Sequence, residues 1–411
     1  MTLSTEIEDH YRQLLGLNSP WKIDSVNLDV ELRTVEIYIS WPPLTKAPCP
    51  ECDELFTVKD RREERTWRHL NTMQFTTYIK CKAPRCNCKT HGVKTVKVPW
   101  SEPERRFTLL FEKFAIDVLL ASKSIQSAKD LLDISWDELH LIQKYAVERG
   151  LKKREAEEVS YVGIDEKSFL KGHNYASILT DVEKARVLEV VQGRDGEASD
   201  KLLQTMTLYQ RGSVKAVAVD MWEPFRKSIE KNLPQADIVH DKFHISGYLN
   251  KAVDSVRKQE HKKLKTEGTE YLKGTKYLWL TNSKNWTKEQ NQQFMELKVN
   301  NLKTSRAWAI KESFTCFWEY IYSGVAKKHF QRWYFWATHS RLKPIIDAAK
   351  TLKRHITNIM NYFKHRITNA VAEGLNSKIQ NIKSNARGYR NFNNYRVAIL
   401  FYCGKLDLHP Q

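Results

Sequence analysis

Three acidic residues stand in or just after short apolar segments that could place them at one point in space. They are Asp165 at the end of residues 162–165, Asp220 after residues 217–219, and Glu373 within residues 371–375. Carboxylate oxygens are the ligands that hard divalent cations prefer. Two such cations, about 3.5 to 4 Å apart, can assist both the attacking and the leaving oxygen of a phosphodiester. If the three carboxylates meet, they form a binding site for two divalent cations. The sequence therefore predicts a site that could cut and rejoin DNA.

The acids are expected to divide the work between two ions. Asp165 would bridge both, Asp220 would hold one and Glu373 the other. Glu166 is adjacent to Asp165 and is its obvious alternative. Successive side chains of a strand point to opposite faces, so only one of the two is expected to reach the site.

Asp241 and His244 follow another short apolar stretch and could approach the same cleft. Asp241 would bind a metal or orient a metal ligand, and His244 would contact the scissile phosphate or the leaving strand. A structural hydrogen bond at the end of a strand is the alternative interpretation.

Five of the seven cysteines lie between Cys49 and Cys88. In a reducing cell, a local cluster on turn-forming residues indicates metal binding rather than disulfides. A closed four-ligand zinc site of this kind is structural, not catalytic. The expected ligands are Cys49, Cys52, Cys81 and Cys86, although Cys88 or His91 could replace one of them.

The composition sets broad limits on the class of protein. The chain has 411 residues, a formal net charge of +18 and 41% hydrophobic residues, so it can bury a sizeable core. An excess of basic residues suits a polyphosphate partner, although ribosomal and membrane-surface proteins share it. No apolar run of membrane-spanning length and no secretory signal are evident, so we expect a cytoplasmic, nucleoid-associated protein with no membrane partner.

The N-terminal part predicts a hairpin, the cysteine cluster and then helices. Period-two apolar residues over 26–39 indicate the hairpin. An apolar stripe over 111–119, a short helix over 124–132 and a capping box at Ser135 that opens a helix over 136–151 follow. The last two helices fit a helix-turn-helix, although any helical hairpin has this form. The basic run at 152–154 favours DNA contact.

From residue 161 the pattern alternates between strands and helices. Strands are expected at 161–169, 174–180, 186–191, 214–219 and 238–239, with helices at 198–209 and 224–232 and turns at 171–172 and 181–185. Three successive strands followed by helix and strand alternation are typical of a ribonuclease H-like mixed sheet flanked by helices.

Residues from about 248 to 350 interrupt this order. They are helix-forming and basic, and they contain six of the twelve tryptophans. We expect an all-helical insertion with a small core of its own, although tryptophans could also stack on DNA. Apolar residues then recur every three or four positions from Ile356 to Ile382, which predicts one long helix. Glu373 lies off that stripe and shares a polar face with Asn369, Asn376 and Gln380.

These residues together resemble the DDE transposases of bacterial insertion sequences, in the group with an N-terminal zinc ribbon, a helix-turn-helix and a catalytic core split by a helical insertion. The matching blocks, in chain order, are residues 49–52, 98–102, 162–169, 219–225, 238–244, 367–378 and 388–392. They extend from the cysteine cluster almost to the C-terminus. The crowded second cysteine pair, in which Cys88 is additional, departs from the pattern of the group.

The resemblance implies that Asp165, Asp220 and Glu373 form the catalytic triad and that Asp241 and His244 form a D-x-x-H element. It also implies two Mg²⁺ ions, with Mn²⁺ as a substitute, and one structural Zn²⁺. The implied partners are double-stranded DNA, both end repeats and target, and further copies of the chain in a dimer or larger synaptic assembly.

The expected fold class is α/β, a ribonuclease H-like mixed sheet with a long all-helical insertion, preceded by a zinc ribbon and a helix-turn-helix. The expected domains are 1–105, hairpin and zinc ribbon; 106–157, helix-turn-helix; 158–247, first part of the core; 248–350, insertion; and 351–411, C-terminal helical part of the core. Two other functions remain open: a DNA-binding regulator that no longer cuts, and a structure-specific nuclease that hydrolyses without strand transfer.

Overall fold

The computed structural model describes residues 3–170, 174–298, 300, 302–368 and 370–411. The chain divides into two compact units, Met1–Arg154 with Leu406–Gln411, and Glu155–Lys405. Among the described residues, no helix combines the length and the apolar character that crossing a membrane requires. The expected turn at 171–172 and the expected position of Asn369 lie outside the described residues.

The strands are β1 (Lys22–Asp29), β2 (Thr34–Ser40), β3 (Ala47–Pro48), β4 (Leu55–Phe56), β5 (Val58–Arg61), β6 (Arg65–Thr72), β7 (Phe75–Cys81), β8 (Pro84–Cys88), β9 (Gly92–Thr95), β10 (Tyr161–Leu170), β11 (Asn174–Asp181), β12 (Arg186–Gln192), β13 (Ala216–Val219) and β14 (Asp237–His240).

The helices are α1 (Leu3–Leu14), α2 (Leu109–Ser122), α3 (Ile125–Leu132), α4 (Trp136–Lys153), α5 (Gly196–Gln204), α6 (Leu208–Ser213), α7 (Glu223–Asn232), α8 (Lys242–Thr266), α9 (Lys276–Leu280), α10 (Lys288–Lys298), α11 (Lys303–Thr315), α12 (Ser323–Thr338), α13 (Lys343–Arg354), α14 (Ile356–His365), α15 (Ala370–Asn385) and α16 (Phe392–Cys403).

The N-terminal unit begins with a sheet in the order β1-β2-β7-β6. The hairpin expected from period-two apolar residues is confirmed, since β1 and β2 pair antiparallel and Val35, Ile37 and Ile39 are buried. A second, three-stranded sheet in the order β5-β8-β9 carries part of the cysteine cluster. Helix α1 was not expected from the sequence, because Tyr11 is the one buried residue among its described side chains.

Helices α2, α3 and α4 confirm the three helices expected in this unit. Side-chain oxygens of Thr108 and Ser124 cap α2 and α3. Ser135 and Glu138 form the expected capping box at the start of α4. These caps satisfy backbone N–H groups that have no partner within the helix. The helix-turn-helix assignment of α3 and α4 stays a prediction.

The second unit is built on a five-stranded mixed sheet in the order β12-β11-β10-β13-β14. The first three strands form an antiparallel meander, and β13 and β14 are parallel to β10. All five expected strands are therefore confirmed. Buried aliphatic residues on one face, including Val217 and Val219, pack with Leu202 of α5 and Ile229 of α7.

The stretch after β14 forms the expected helical insertion, which starts with α8. Its apolar residues make a separate core in which Trp279 and Trp333 are 0% and 2% exposed. Trp286, Trp308 and Trp318 are partly buried against the same core. Core packing therefore accounts for five of the six tryptophans, and Trp336 is the exposed one.

Two predicted helices are broken in the structure. The expected helix over 198–209 is divided into α5 and α6, because Thr207 caps a new helix. The expected long helix over 356–382 is divided into α14 and α15, because Arg366 adopts a left-handed conformation with φ of 55°. A change of direction at Arg366 lets α14 pack in the insertion core while α15 lies along β10.

Candidate active site and metal-binding cluster

The three acids found in the sequence meet in one open cleft of the second unit. Asp165, Asp220 and Glu373 line a cavity of about 720 Å³ together with Glu166, His244 and Asn376. A cleft lined almost entirely by polar and charged side chains suits an ionic ligand rather than an apolar one.

The sheet topology explains why the two aspartates meet. Parallel strands end at the same edge of a sheet, and β10 pairs in parallel with β13 through Gly163 and Ala218. Asp165 and Asp220 each lie two residues beyond this last pair. Glu373 comes from another element, the first turn of α15, and Asn376 lies one turn later on the same helix.

Hydrogen bonds fix the orientation of both aspartates. The backbone N–H of Glu166 donates to Asp165 Oδ1 at 2.7 Å, and Asn376 Nδ2 donates to Asp165 Oδ2. The backbone N–H of Trp222 donates to Asp220 Oδ1 at 2.9 Å. The second oxygen of Asp220 is not used in this bond, so the carboxylate can still accept a ligand.

Electrostatic crowding marks this group of acids. Burial raises the pKa of Asp220, and the negative charges of Asp165 and Asp241 raise it further. The hydrogen bond from the Trp222 N–H and the charge of His244 act in the opposite direction. Burial, followed by the charges of Asp241 and Asp165, likewise raises the pKa of Glu373. Unrelieved negative charge on hard oxygen donors is what a divalent cation neutralises, so these residues fit Mg²⁺ or Mn²⁺.

Glu166 lines the cleft beside Asp165, contrary to the expectation that only one of the two would reach it. Strand β13 covers β10 only as far as Gly163, so side chains beyond that point can lean over an uncovered edge. Burial and the nearby charge of Asp220 raise the pKa of Glu166, while Arg194 opposes this through an ion pair at 3.4 Å.

Arg194 is a neighbour of the cleft that the sequence did not reveal. Its guanidinium lies 4.1 Å from the ring centroid of Tyr175 and 5.4 Å from that of Trp222. The Trp222 indole N–H in turn donates to Arg194 O at 3.2 Å. Nothing in the local pattern around residue 194 indicates this role, because its partners come from three separate segments.

Asp241 and His244 have different positions relative to the cleft. Asp241 is 2% exposed, and its Oδ2 accepts from the N–H groups of Phe243 and His244 as the N-cap of α8. His244 lines the cleft and is exposed. Asp241 thus fixes the first turn of α8, which places His244 next to the acids.

In the N-terminal unit, the metal-binding cluster consists of Cys49, Cys52, Cys88 and His91. Their ligand atoms all lie within 4.8 Å of one another. Cys52 Sγ is 3.8 Å from Cys88 Sγ, and His91 Nδ1 is 3.4 Å from Cys88 Sγ and 3.8 Å from Cys49 Sγ. A tetrahedral zinc site requires separations of about 3.5–3.8 Å between such atoms. The cluster therefore fits Zn²⁺.

This arrangement corrects the ligand set expected from the sequence. Cys81 ends β7 and is buried in the apolar core, where burial raises the pKa of its thiol to about 12. Cys86 is also buried, and its thiol approaches Pro48 O and Cys49, but it is not one of the four grouped ligand residues. Strand β8 brings Cys88 to the turn before β9, where His91 meets it. The alternatives of Cys88 and His91 thus replace Cys81 and Cys86 together.

Comparison with known families decides which kind of protein carries this cleft. Residues 162–399 match the transposase family of the DDE, ISL3 type. The chain belongs to this transposase family. Residues 45–91, which contain all four members of the metal-binding cluster, match the zinc finger of the IS204, IS1001, IS1096 and IS1165 transposases.

Two further transposases are similar to this chain over most of its length. The transposase for insertion sequence element IS1001 of Bordetella parapertussis is 24% identical over 362 residues, which cover 87% of this chain and 89% of that protein. The transposase for insertion sequence element IS1557 of Mycobacterium tuberculosis, strains CDC 1551 and H37Rv, is 22% identical over 367 residues, 83% of this chain and 82% of that protein.

Proposed function

We propose that this transposase binds the terminal inverted repeats of its own insertion sequence, cleaves DNA at the element ends and joins the freed 3′-hydroxyl to target DNA by in-line transesterification. The observation that carries the proposal is the convergence of Asp165, Asp220 and Glu373 in one cleft. Asp165 lies within β10 just beyond its pairing with the parallel strand β13, Asp220 directly follows β13, and Glu373 comes from a distant helix.

Asp165, Asp220 and Glu373 would hold two Mg²⁺ ions, with Mn²⁺ as a substitute. When bound, the ions supply activation of the attacking hydroxyl and charge compensation for the leaving oxygen. The chain itself orients the carboxylates through Asn376 and the Trp222 N–H. His244 is placed to contact the scissile phosphate or the leaving strand, and Asp241 acts by positioning His244.

The topology of the sheet supports a ribonuclease H-like core. A meander of three antiparallel strands followed by two parallel strands on the other side of β10 gives the order 3-2-1-4-5. In this interpretation the core comprises residues 158–247 and 351–411, interrupted by an insertion at 248–350. The N-terminal domains at 1–105 and 106–157 would form the zinc ribbon and the helix-turn-helix.

The N-terminal unit would recognise the end repeats. Cys49, Cys52, Cys88 and His91 would hold one structural Zn²⁺ and fix the turns of the ribbon. Helix α4 would enter the major groove as the second helix of a helix-turn-helix. Cutting and joining two ends in one reaction requires both ends together, so we infer a homodimer or larger assembly on DNA.

A strand-transfer assay separates the proposed activity from its alternatives. The purified protein is incubated with a labelled fragment that carries an end of its element, a plasmid target and Mg²⁺. Joined products support transposition, whereas nicks without joining indicate a nuclease. A fragment that is shifted but uncut indicates a DNA-binding regulator.

Conservative substitutions test the three acids. We expect Asp165→Asn, Asp220→Asn and Glu373→Gln each to reduce cleavage and joining by about 1000-fold or more, since removal of one member of a catalytic triad costs about 10⁴-fold or more. End binding should persist in each variant. Glu197→Gln, which removes an exposed acid in α5, is the matched control and should retain activity. Normal cleavage by any of the three variants would overturn the assignment.

A further inference from the structure

Helix α8 leads from the active-site cleft into the helical insertion and has two contrasting faces. One face is apolar and buried, with Ile245, Leu249 and Val253 between 0% and 2% exposed in the insertion core. Asp241 caps its first turn, and His244 of that turn lines the cleft. One continuous helix therefore connects the cleft with the core of the helical insertion.

The opposite face of α8 carries a row of lysines. Lys251, Lys258, Lys262 and Lys265 are exposed and follow one another at spacings of seven, four and three residues. At 100° per residue these side chains lie within a sector of about 60° that also includes His244. We name His244 and these four lysines the α8 stripe. From His244 to Lys265 it extends about 32 Å along the helix axis.

The acidic residues of α8 do not cancel this charge. Glu260 accepts hydrogen bonds from the backbone N–H groups of Lys303 and Thr304 at 2.7 Å each, so it caps α11. Asp254 pairs with Arg257 and with Lys258 of the stripe. In the described part of the chain, Lys251, Lys262 and Lys265 form no ion pair. These three lysines therefore carry charge that no carboxylate of α8 neutralises, and all of them lie on one face of the helix.

We propose that the α8 stripe binds the sugar-phosphate backbone of the duplex DNA that extends from the cleft. Its linear form suits a rod-like polyanion, and its length corresponds to about nine base pairs at 3.4 Å each. A phosphate contact of this kind fixes the position of the duplex without reading its sequence. The inference rests on the proposed function for the identity of the cleft, but the stripe can be tested without any cleavage.

The first test compares two triple variants with equal loss of charge. One is Lys251→Gln, Lys262→Gln and Lys265→Gln on the stripe. The control is Lys276→Gln, Lys288→Gln and Lys298→Gln, which removes exposed lysines of the same insertion that lie off α8. Binding of a 40-base-pair duplex of arbitrary sequence is measured against salt concentration, with the full chain in each case. Circular dichroism verifies that both variants remain folded.

Each phosphate contact contributes about 0.9 to the slope of log affinity against log salt. We therefore expect the stripe variant to lose about 2 to 3 from this slope and the control less than 1. Equal slopes for the two variants would show that the stripe is a solvated face and would overturn the proposal.

The second test locates the DNA directly and does not depend on DNA cleavage or strand transfer. A photoreactive benzoylphenylalanine replaces Lys262 in one protein and Lys288 in the other, each in the Asp165→Asn background. We expect crosslinking of the duplex from position 262 and not from position 288. Crosslinking at 262 without strand transfer by the wild-type protein would refute only the proposed transposition. Strand transfer without crosslinking at 262 would refute only the role of the stripe.

Discussion

At the scale of single residues, the hydrogen bond between Asn376 and Asp165 orients the Asp165 carboxylate in a cleft that contains several other acids. Asn376 is 6% exposed and donates from Nδ2 to Asp165 Oδ2. Groups that orient metal-binding carboxylates typically contribute about 10- to 100-fold to affinity or activity. We expect Asn376→Ala to reduce strand cleavage by that factor and to raise the Mg²⁺ concentration needed for half-maximal activity.

Gln380 provides the control for this prediction. It lies one turn later on α15, lines the same cleft and is exposed. Among the described residues it forms no hydrogen bond with the three acids, so Gln380→Ala should change the Mg²⁺ requirement little. An Asn376→Ala protein with an unchanged Mg²⁺ requirement would show that the bond only supports packing.

His69 gives the N-terminal unit a dependence on pH. Burial and the charge of Arg68 lower the pKa of His69 to about 4 from 6.5. Between these values the unfolded chain binds a proton that the folded chain does not, so stability falls as the pH drops from 6.5 towards 4. The difference corresponds to about 3 kcal/mol. We expect the thermal unfolding of His69→Gln to lose much of this acid sensitivity.

His10 is the comparison for this measurement, because it is exposed in α1. His10→Gln should leave the pH dependence of unfolding as it is in the wild-type protein. An identical acid sensitivity in His69→Gln and wild type would contradict the role of His69.

The sequence indicated the three acids of the cleft more clearly than the cysteines of the metal-binding cluster. Asp165, Asp220 and Glu373 each lie at a recognisable place on a strand or helix, and the structure brings them together. The zinc ligands depend on which face of β7 and β8 points towards the turn at Cys49. Spacing alone does not specify this, since Cys81 and Cys86 are also at ligand-like positions.

At the scale of elements, strand β8 determines which residues form the metal-binding cluster. Its end brings Cys88 to His91, whereas Cys81 at the end of β7 is not among the four grouped ligand atoms. We expect Cys88→Ser to lose bound zinc and weaken binding to the element ends, because a tetrahedral site does not retain zinc well with three protein ligands in a structural role. Cys81→Ser should lose stability but keep one zinc per chain, as measured by metal analysis. If Cys81→Ser lost zinc and Cys88→Ser retained it, the ligand set expected from the sequence, which includes Cys81 and Cys86, would be correct.

Strands were easier to predict than the ends of helices. Strand-forming runs separated by turns and helices predicted all five strands of the second unit within a few residues. The break between α14 and α15 escaped prediction because the apolar stripe continues across it. Arg366 there takes a left-handed conformation, which costs a non-glycine residue energy and has no simple sequence signal. Tertiary packing of α14 in the insertion core compensates for that cost.

At the scale of the whole molecule, the end of the chain returns to the N-terminal unit. Leu406–Gln411, which the sequence assigned with the core, packs with the helices of that unit. Arg149 of α4 donates to Leu408 O at 2.7 Å and pairs with Glu112 at 2.5 Å. Leu408 is 5% exposed. The segment that follows the last helix of the second unit thus belongs to the N-terminal unit, a relation that local sequence patterns do not encode.

Gly150 makes this docking of the C-terminal segment testable. A Cβ added at residue 150 would lie 2.6 Å from Leu406 Cβ, closer than real Cβ contacts come, and 3.1 Å from Asp407 O, which is a tight contact. We expect Gly150→Ala to destabilise the N-terminal unit of the full chain. Removal of residues 406–411 should also destabilise it, by about 1.5–3 kcal/mol from the exposure of Leu408 alone. Hydrogen exchange of the α4 amides measures both effects.

The combination of the two changes gives the decisive result. Gly150 lies inside α4, where alanine is favoured over glycine by about 1 kcal/mol once no clash opposes it. In a chain that stops after Lys405, Gly150→Ala should therefore slow exchange of the α4 amides, the reverse of its effect in the full chain. The same sign in both backgrounds would show that the segment does not dock on α4. Exchange in the second unit, measured on β10 and β13, serves as the internal control and should not respond to either change.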